Sequence, residues 1–203
     1  LIEAISSYKI NNSFFSDNNI PNNKPIIAFL TGSRTQEIKT MLPIFLSIIS
    51  NYPNYNFVIA GVNNVDSKLY NLAAYSNLYI IYNKTYDLLT NSFAAIVTSG
   101  TASLECSLFK VPQLVCYKTS DLSYFIGKLF VKIRHISLVN IILEKDIIKE
   151  LIQYGLNKKN LAFEFNKLCE QETRSKIIQE YSKIFDLLSV KDTSKKIASS
   201  IIS

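Results

Sequence analysis

The stretch Ala94-Ala-Ile-Val-Thr-Ser-Gly-Thr-Ala-Ser-Leu-Glu105 decides the fold that we predict. It begins with an apolar run suited to a buried strand, and apolar residues at helical spacing follow its small central residues. A strand, a tight turn and a helix in this order direct unpaired backbone N–H groups and the positive end of a helix dipole to one point. Such a point binds anions, for example a nucleotide diphosphate. A well-capped helix that binds nothing would produce the same pattern.

Four residues of this stretch are candidates for ligand contacts. Gly100 allows a tight turn and the close approach of a ligand, and Ser99 lies directly before it. Thr101 and Glu105 are one helical turn apart, so they share a helix face. We therefore expect a hydroxyl beside a phosphate and a carboxylate that accepts hydrogen bonds from a sugar.

The composition indicates a globular domain. The chain has 203 residues, of which 48% are hydrophobic and 19% charged, which is enough for a substantial core. No apolar run reaches the length of a membrane span, and the chain does not open with a secretory signal pattern. Cys106, Cys116 and Cys169 lack metal-ligand spacing, and we interpret them as reduced thiols of a cytoplasmic protein that mostly fill the core.

The formal net charge of +6 is spread along the chain, without the dense basic run of a nucleic-acid-binding surface. We expect no nucleic-acid partner and instead an attraction to phosphate ligands or to an anionic membrane surface. One aromatic stripe has two interpretations. It contacts a membrane or acyl chains, or it packs in the core while its lysines extend to solvent. Its residues are Tyr124, Phe125, Lys128, Leu129, Phe130 and Lys132.

Strand and helix patterns alternate between Pro25 and Lys118, which predicts an α/β fold with a doubly wound parallel sheet. The predicted strands are 26–30, 56–60, 78–82, 94–98 and 114–117. Beyond Lys118 we predict only helices, at 122–134, 146–154, 160–169, 172–188 and 194–202. The expected organisation is a helix tail and linker at 1–24, the sheet domain at 25–143 and a helical C-terminal arm at 144–203.

A second turn, Thr31-Gly-Ser-Arg34, follows the first predicted strand. Ligands of open parallel sheets bind at the carboxyl ends of strands, so this turn and the one at Gly100 form a pair of candidate sites, although neither matches a Walker loop or the GxGxxG pattern. Arg34 offers a flat fork of donors suited to a diphosphate. It could also be a solvated or salt-bridged arginine, but a cation is disfavoured at a helix start. Ser33 and Gln36 have the spacing of a capping box.

Two further polar residues are less informative. Asn140 either binds a sugar or phosphate or closes a turn. His135 is the only histidine, has no evident acidic partner in the sequence and is expected to be structural.

These motifs resemble those of bacterial lipid-A-disaccharide synthases, inverting glycosyltransferases with the double-Rossmann GT-B fold. Residues 30–38, Leu-Thr-Gly-Ser-Arg-Thr-Gln-Glu-Ile, are similar to the family's Leu-Pro-Gly-Ser-Arg pattern followed by Glu-Ile, and 98–105 match a second motif. Segments 112–118 and 128–140 follow in the family's order. Thr31 and Val139 stand where the family commonly has proline.

The resemblance implies a Rossmann-like domain that forms the C-terminal, UDP-sugar-binding half of such an enzyme. The family transfers 2,3-diacylglucosamine from its UDP conjugate to 2,3-diacylglucosamine 1-phosphate, forming a β-1,6-linked disaccharide 1-phosphate and UDP without a metal or cofactor. The resemblance also implies a cytoplasmic enzyme, peripheral on the inner membrane, and some members exchange C-terminal arms in a homodimer.

The resemblance further implies roles for individual residues. Arg34 would stabilise the leaving diphosphate, Glu105 would contact the ribose, and Tyr82 and Thr85 would flank the uracil. The full set of implied UDP-binding residues is Gly32, Ser33, Arg34, Tyr82, Thr85, Ser99, Gly100, Thr101, Glu105 and Asn140.

The family's general base belongs to its N-terminal domain, and we expect it to lie outside this chain, whose first residue is Leu1. The chain is then expected to bind UDP weakly without turnover. Two other interpretations stay open. One is another UDP-sugar transferase or an epimerase of the same fold, and the other is a non-catalytic nucleotide-binding module completed by a second chain.

Overall fold

The computed structural model describes residues 5, 7–70, 75–98, 100–119 and 135–189. Six parallel strands form one sheet and are labelled β1 to β6 in chain order. They are β1 Ile26–Leu30, β2 Asn56–Gly61, β3 Leu78–Tyr82, β4 Ser92–Thr98, β5 Gln113–Tyr117 and β6 Lys149–Ile152.

Seven α-helices accompany the sheet in the described part of the chain. None of the described helices is long and apolar enough to cross a membrane. They are α1 Phe14–Asp17, α2 Thr35–Leu46, α3 Thr85–Thr90, α4 Thr101–Leu108, α5 Leu138–Leu143, α6 Lys158–Cys169 and α7 Gln171–Ser189. Single turns of 3₁₀-helix lie at Ile49–Asn51, Ser67–Tyr70 and Gln153–Gly155.

The strand order is β3-β2-β1-β4-β5-β6, which confirms the predicted doubly wound parallel sheet. The order reverses beside β1, which pairs with β2 on one side and with β4 on the other. Connections that leave the carboxyl ends of β1 and β4 run to opposite faces of such a sheet, and a crevice opens between them. The fold therefore brings the ends of these two strands to one place.

The central strand is anchored by aromatic packing. Every residue of β1 is at most 6% exposed, as expected for a strand covered on both faces. The ring of Phe29 lies 5.3 Å from that of Phe45 in α2 and 5.1 Å from that of Phe57 in β2. Burial of each such ring stabilises the fold by about 2 kcal/mol, so α2 is held firmly against β1.

The prediction of a helix at 146–154 is wrong. Lys149–Ile152 form β6, which pairs with β5 through Leu114↔Lys149 and Cys116↔Leu151, and Gln153–Gly155 form a 3₁₀ turn. In this short segment the helical and strand periodicities are hard to distinguish, and pairing with the free edge of β5 selects the strand. The sheet thus extends beyond residue 143, where we had expected its domain to end.

The N-terminal segment packs on the sheet domain. Within the expected linker, Phe14 of α1 and Ile20 are buried in the core. The Asn56 side chain at the start of β2 donates a hydrogen bond to the carbonyl of Pro21 over 2.8 Å. This segment therefore contributes to the folded domain. The expected helices at 122–134 and 194–202 lie outside the described residues.

The C-terminal helix α7 closes one side of the sheet. Tyr181 is fully buried, and its hydroxyl accepts a hydrogen bond from the Gln113 amide of β5 over 3.1 Å. The guanidinium carbon of Arg174 lies 3.6 Å from the centre of the Phe93 ring. Cys106 and Cys116 are free and buried, which agrees with their expected place in the core, and burial raises the pKa of both thiols.

Thr31, directly after β1, provides a test of the packing at this strand end. It is fully buried, and its hydroxyl has no hydrogen-bond partner among the described residues. The hydroxyl of Thr98, at the end of the neighbouring β4, donates to the carbonyl of Leu30 over 3.3 Å. Removing an unsatisfied buried hydroxyl is favourable, whereas removing a bonded one is costly.

We predict that Thr31→Val raises the free energy of unfolding by about 1 kcal/mol and that the matched change Thr98→Val lowers it by about 1 kcal/mol. Urea denaturation followed by circular dichroism measures both effects. A loss of stability in Thr31→Val equal to that in Thr98→Val would show that the Thr31 hydroxyl is satisfied in solution.

Candidate functional site

The two candidate turns line one cleft of about 420 Å³ at the carboxyl ends of β1 and β4. Thr85 at the start of α3 and Glu105 of α4 lie on its walls, together with Lys118. Of the residues predicted to bind UDP, those that the structure brings together here are Gly32, Ser33, Arg34, Thr85, Gly100, Thr101 and Glu105. Ser99, which joins β4 to Gly100, lies outside the described residues.

A larger cavity of about 640 Å³ lies elsewhere, beside β6 and the start of α7. Its wall includes His135, which is buried and whose Nδ1 lies 3.4 Å from a carboxylate oxygen of Asp146. This contact agrees with a structural histidine and supplies the acidic partner that the sequence did not reveal. We assign the candidate site to the smaller cleft, because it lies where the strand order reverses.

The first turn is closed by a carboxylate of its own helix. One oxygen of Glu37 accepts hydrogen bonds from the N–H groups of Ser33 over 3.2 Å and Arg34 over 3.4 Å. Gly32 has φ of 98°, and a Cβ at this position would lie 2.4 Å from that oxygen. Only glycine fits both the backbone and the carboxylate here. The predicted capping box of Ser33 and Gln36 is wrong, because α2 begins at Thr35 and Glu37 provides the acceptor.

Arg34 presents its charge to the cleft. Its side chain is 83% exposed, and Nη1 lies 3.7 Å from the second oxygen of Glu37. An exposed ion pair at this separation is weak, so the guanidinium can turn towards another anion. An anion entering the cleft can contact this guanidinium directly, but it reaches the amides of the first turn only when the Glu37 carboxylate moves.

The second turn is more open. Gly100 precedes α4 with φ of 90° and ψ of −142°. Apart from its two chain neighbours, no atom of the described residues lies within 4 Å of the position that its Cβ would occupy. Its carbonyl accepts a hydrogen bond from the Ser103 hydroxyl over 2.9 Å, which braces the turn from the helix side. Gly100 thus leaves room for a ligand at the start of α4.

Glu105 forms the wall of the cleft one helical turn further along α4. It is partly buried, and the Tyr86 hydroxyl donates to its Oε1 over 3.5 Å. Burial raises the pKa of Glu105, and the hydrogen bond from Tyr86 opposes that rise. Thr101 is exposed on the same helix and lines the same cleft. Thr101 and Glu105 thus bring a hydroxyl and a carboxylate to the same cleft, as their spacing predicted.

Asn140 is not among the residues that line the cleft. Its amide nitrogen donates to the Ile148 carbonyl over 2.9 Å and to Glu150 over 3.0 Å. Its oxygen accepts from the N–H groups of Ile147 and Ile148 at 2.9 and 3.0 Å. These four bonds within the protein use the amide fully. We therefore correct the prediction that Asn140 binds UDP: its buried amide joins α5 to the segment entering β6.

The expected place of Tyr82 beside the uracil stays a prediction. It lies at the end of β3, the edge strand two positions from β1, and it is not among the cleft-lining residues. Its ring packs edge-on at 6.4 Å from that of Tyr70. Of the two expected uracil neighbours, Thr85 lines the cleft and Tyr82 does not.

The sequence analysis did not single out three polar residues, of which Lys118 lines the cleft. The Glu150 carboxylate of β6 accepts hydrogen bonds from the N–H groups of Ile136 and Ser137 at 2.9 and 3.0 Å. The side chain of Gln153 exchanges two hydrogen bonds with the backbone of Thr119, at 2.8 and 3.0 Å. Lys118 adds a cation to the cleft. For Glu150 and Gln153 the available signal was a polar residue within an apolar segment, but the prediction of a helix at 146–154 concealed it.

The Asn140 amide gives a second testable prediction. Asn140→Ala leaves two backbone N–H groups and one carbonyl without this partner, so we expect the free energy of unfolding to fall by about 2–4 kcal/mol. The exposed Asn51 serves as control, and Asn51→Ala should change stability by less than about 0.5 kcal/mol. Chemical denaturation compares the two. Equal stabilities would contradict the structural role of Asn140.

The sequence is similar to known proteins along nearly its whole length. A family model described as lipid-A-disaccharide synthetase matches residues 1–202. The lipid-A-disaccharide synthase of Sulfurihydrogenibium sp. is 36% identical over 187 residues, which cover 84% of this chain and 47% of that protein. The chain thus spans about half the length of the curated relatives it matches.

Solved structures show the same fold. The UDP-GlcNAc 2-epimerase from Neisseria meningitidis, solved with UDP-GlcNAc, has a TM-score of 0.61 at 18% identity, covering 99% of this chain and 51% of that one. WaaG, a glycosyltransferase involved in lipopolysaccharide biosynthesis, has a TM-score of 0.59 at 15% identity, covering 95% of this chain and 52% of its own. These likenesses concern the architecture alone. The match of the family model over residues 1–202 shows that the chain belongs to the lipid-A-disaccharide synthase family.

Proposed function

We propose that the protein is the UDP-sugar-binding half of a lipid-A-disaccharide synthase. The complete enzyme would transfer 2,3-diacylglucosamine from UDP to 2,3-diacylglucosamine 1-phosphate, with UDP as the leaving group. The observation that carries the proposal is the meeting of Arg34 and the Gly100 turn in one cleft where the strand order reverses. This arrangement supports a site for a nucleotide diphosphate.

Departure of UDP places negative charge on the diphosphate. The groups available to stabilise it are the Arg34 guanidinium, the Lys118 ammonium and the N–H groups at the start of α4. Fixed cations and dipoles directed at developing charge lower the barrier of such a step. We propose that protein groups neutralise the leaving diphosphate.

The ribose and the uracil are assigned to two further residues that line the cleft. Glu105 would accept hydrogen bonds from the ribose hydroxyls, and Thr85 would lie beside the uracil. Gly32 and Ser33 would approach the phosphates after the Glu37 carboxylate has moved. Ser99 retains its proposed place in the second phosphate turn and Tyr82 its proposed place near the uracil, while Asn140 is withdrawn as a direct UDP contact.

The general base and most of the acceptor site are proposed to belong to the part of the relatives that this chain does not match. The isolated chain is therefore expected to bind UDP without turnover. We further propose that the enzyme works on the cytoplasmic side of the inner membrane, attracted to anionic lipid by its net charge of +6. Exchange of C-terminal arms in a homodimer is part of the same proposal.

Arg34 gives the most direct test. Because its side chain is 83% exposed, Arg34→Ala should leave thermal stability nearly unchanged. It should weaken UDP binding in isothermal titration by about tenfold or more, since it removes a charge-assisted contact to phosphate. Lys39→Ala is the matched control, because it removes an exposed cation from α2, the helix that Arg34 directly precedes, at a position outside the cleft.

Undetectable UDP binding by the unmodified chain would contradict the proposed site. Equal weakening of UDP binding in Arg34→Ala and Lys39→Ala would show that Arg34 contributes only through its positive charge and makes no direct phosphate contact. Titration with UDP-N-acetylglucosamine and with UDP-2,3-diacylglucosamine separates the synthase from a related transferase or epimerase. We expect only a synthase to bind the acylated sugar nucleotide more tightly, and we expect this preference in the complete enzyme.

A further inference from the structure

Tyr86 connects the candidate ribose carboxylate to the rest of the fold. It is the second residue of α3, and its hydroxyl donates to Oε1 of Glu105 in α4 over 3.5 Å. This contact spans two helices that lie on either side of β4 in the chain. It uses one carboxylate oxygen and leaves Oε2 able to accept from a ligand.

The Tyr86 ring is itself held by two aromatic neighbours. It lies 5.0 Å from the ring of Phe109, directly after α4, and meets the ring of Tyr8 edge-on at 5.5 Å. Tyr8 and Phe109 also pack edge-on, at 5.9 Å. Pairs at these separations are typical of favourable aromatic contacts. The three rings form a cluster behind Glu105, and we call it the aromatic cluster.

Tyr8 brings the N-terminal segment into this cluster. Its hydroxyl donates to Oδ1 of Asp87, the residue after Tyr86, over 2.5 Å. Burial and the bond to Asp87 raise the pKa of Tyr8 to about 12, so the hydroxyl is a neutral donor at physiological pH. The start of α3 is thus fixed from the side of the segment that precedes the sheet domain.

We propose that Tyr86 is a positioning residue that orients the Glu105 carboxylate for the ribose hydroxyls, and that Tyr8 holds Tyr86 in place. The inference rests on the proposed function, because it requires a ribose in the cleft. Glu105 is the residue that contacts the sugar, and Tyr86 acts through it.

A physical advantage follows from the length of the glutamate side chain. A glutamate loses rotamer freedom when it is fixed, at a cost of about 1–2 kcal/mol. A donor already bonded to Oε1 reduces this cost before the nucleotide arrives. The benefit should be specific to the sugar hydroxyls, because the phosphates meet other groups of the cleft.

The experiment compares UDP with 2′-deoxy-UDP, which lacks one ribose hydroxyl. Isothermal titration of the full chain should show that UDP binds about tenfold more tightly. Tyr86→Phe keeps the ring and removes the hydroxyl, so this preference should fall by about three- to tenfold, mainly through weaker UDP binding. Tyr154→Phe is the control, since this exposed tyrosine does not line the cleft, and it should keep the full preference.

A double-mutant cycle makes the test independent of small losses in stability. Glu105→Gln should also lower the preference for UDP, and the effects of Tyr86→Phe and Glu105→Gln should be strongly non-additive. Tyr8→Phe should lower the preference less than Tyr86→Phe, because it acts one contact further away. Thermal unfolding of each variant verifies the fold.

The outcomes separate the inference from the function on which it rests. Absence of UDP binding by the unmodified chain would contradict the proposed function. UDP binding with an unchanged preference in Tyr86→Phe, or with additive effects in the cycle, would overturn only the role of Tyr86. Equal affinity of the unmodified chain for both nucleotides would also overturn it, because Glu105 would then have no 2′-hydroxyl contact to support.

Discussion

The reversal of strand order beside β1 is the constraint on which the rest of the site depends. Because β1 pairs with β2 on one side and β4 on the other, the turns at Gly32 and Gly100 leave the same edge of the sheet at neighbouring positions. Neither turn alone distinguishes a ligand site from an ordinary helix start. Their shared cleft, with Arg34 and Lys118 on its walls, is what supports binding of a diphosphate.

Local sequence predicted the elements that are determined by short-range patterns. The bounds of β1 and β3 agree with the prediction, because a compact run of β-branched and aromatic residues marks each of them. The two turns were also predicted from local sequence, through Gly32 and Gly100. Both glycines adopt the positive φ that this residue type favours. The polar residues at these strand ends could therefore be predicted as candidate ligand contacts from local sequence alone.

Features that depend on distant partners were not predictable in the same way. Lys149–Ile152 form a strand because the edge of β5 offers hydrogen bonds, and this partner lies far away in the sequence. The side-chain amide of Asn140 is a plausible ligand-binding group, yet it forms hydrogen bonds with Ile148 and Glu150 instead. The link from Tyr8 to Asp87 joins residues 79 positions apart. In each case the tertiary neighbour decides the role.

The carboxylate of Glu37 has a consequence for the thermodynamics of the first turn. By bonding the N–H groups of Ser33 and Arg34, it acts as a resident anion that keeps this loop in its ligand-ready shape. Any phosphate that takes over these amides completes an exchange of one anion for another, so the free energy gained is the difference between two interactions. Affinity at this turn is thereby moderated, which would suit the proposed product UDP, since a product has to leave after each cycle.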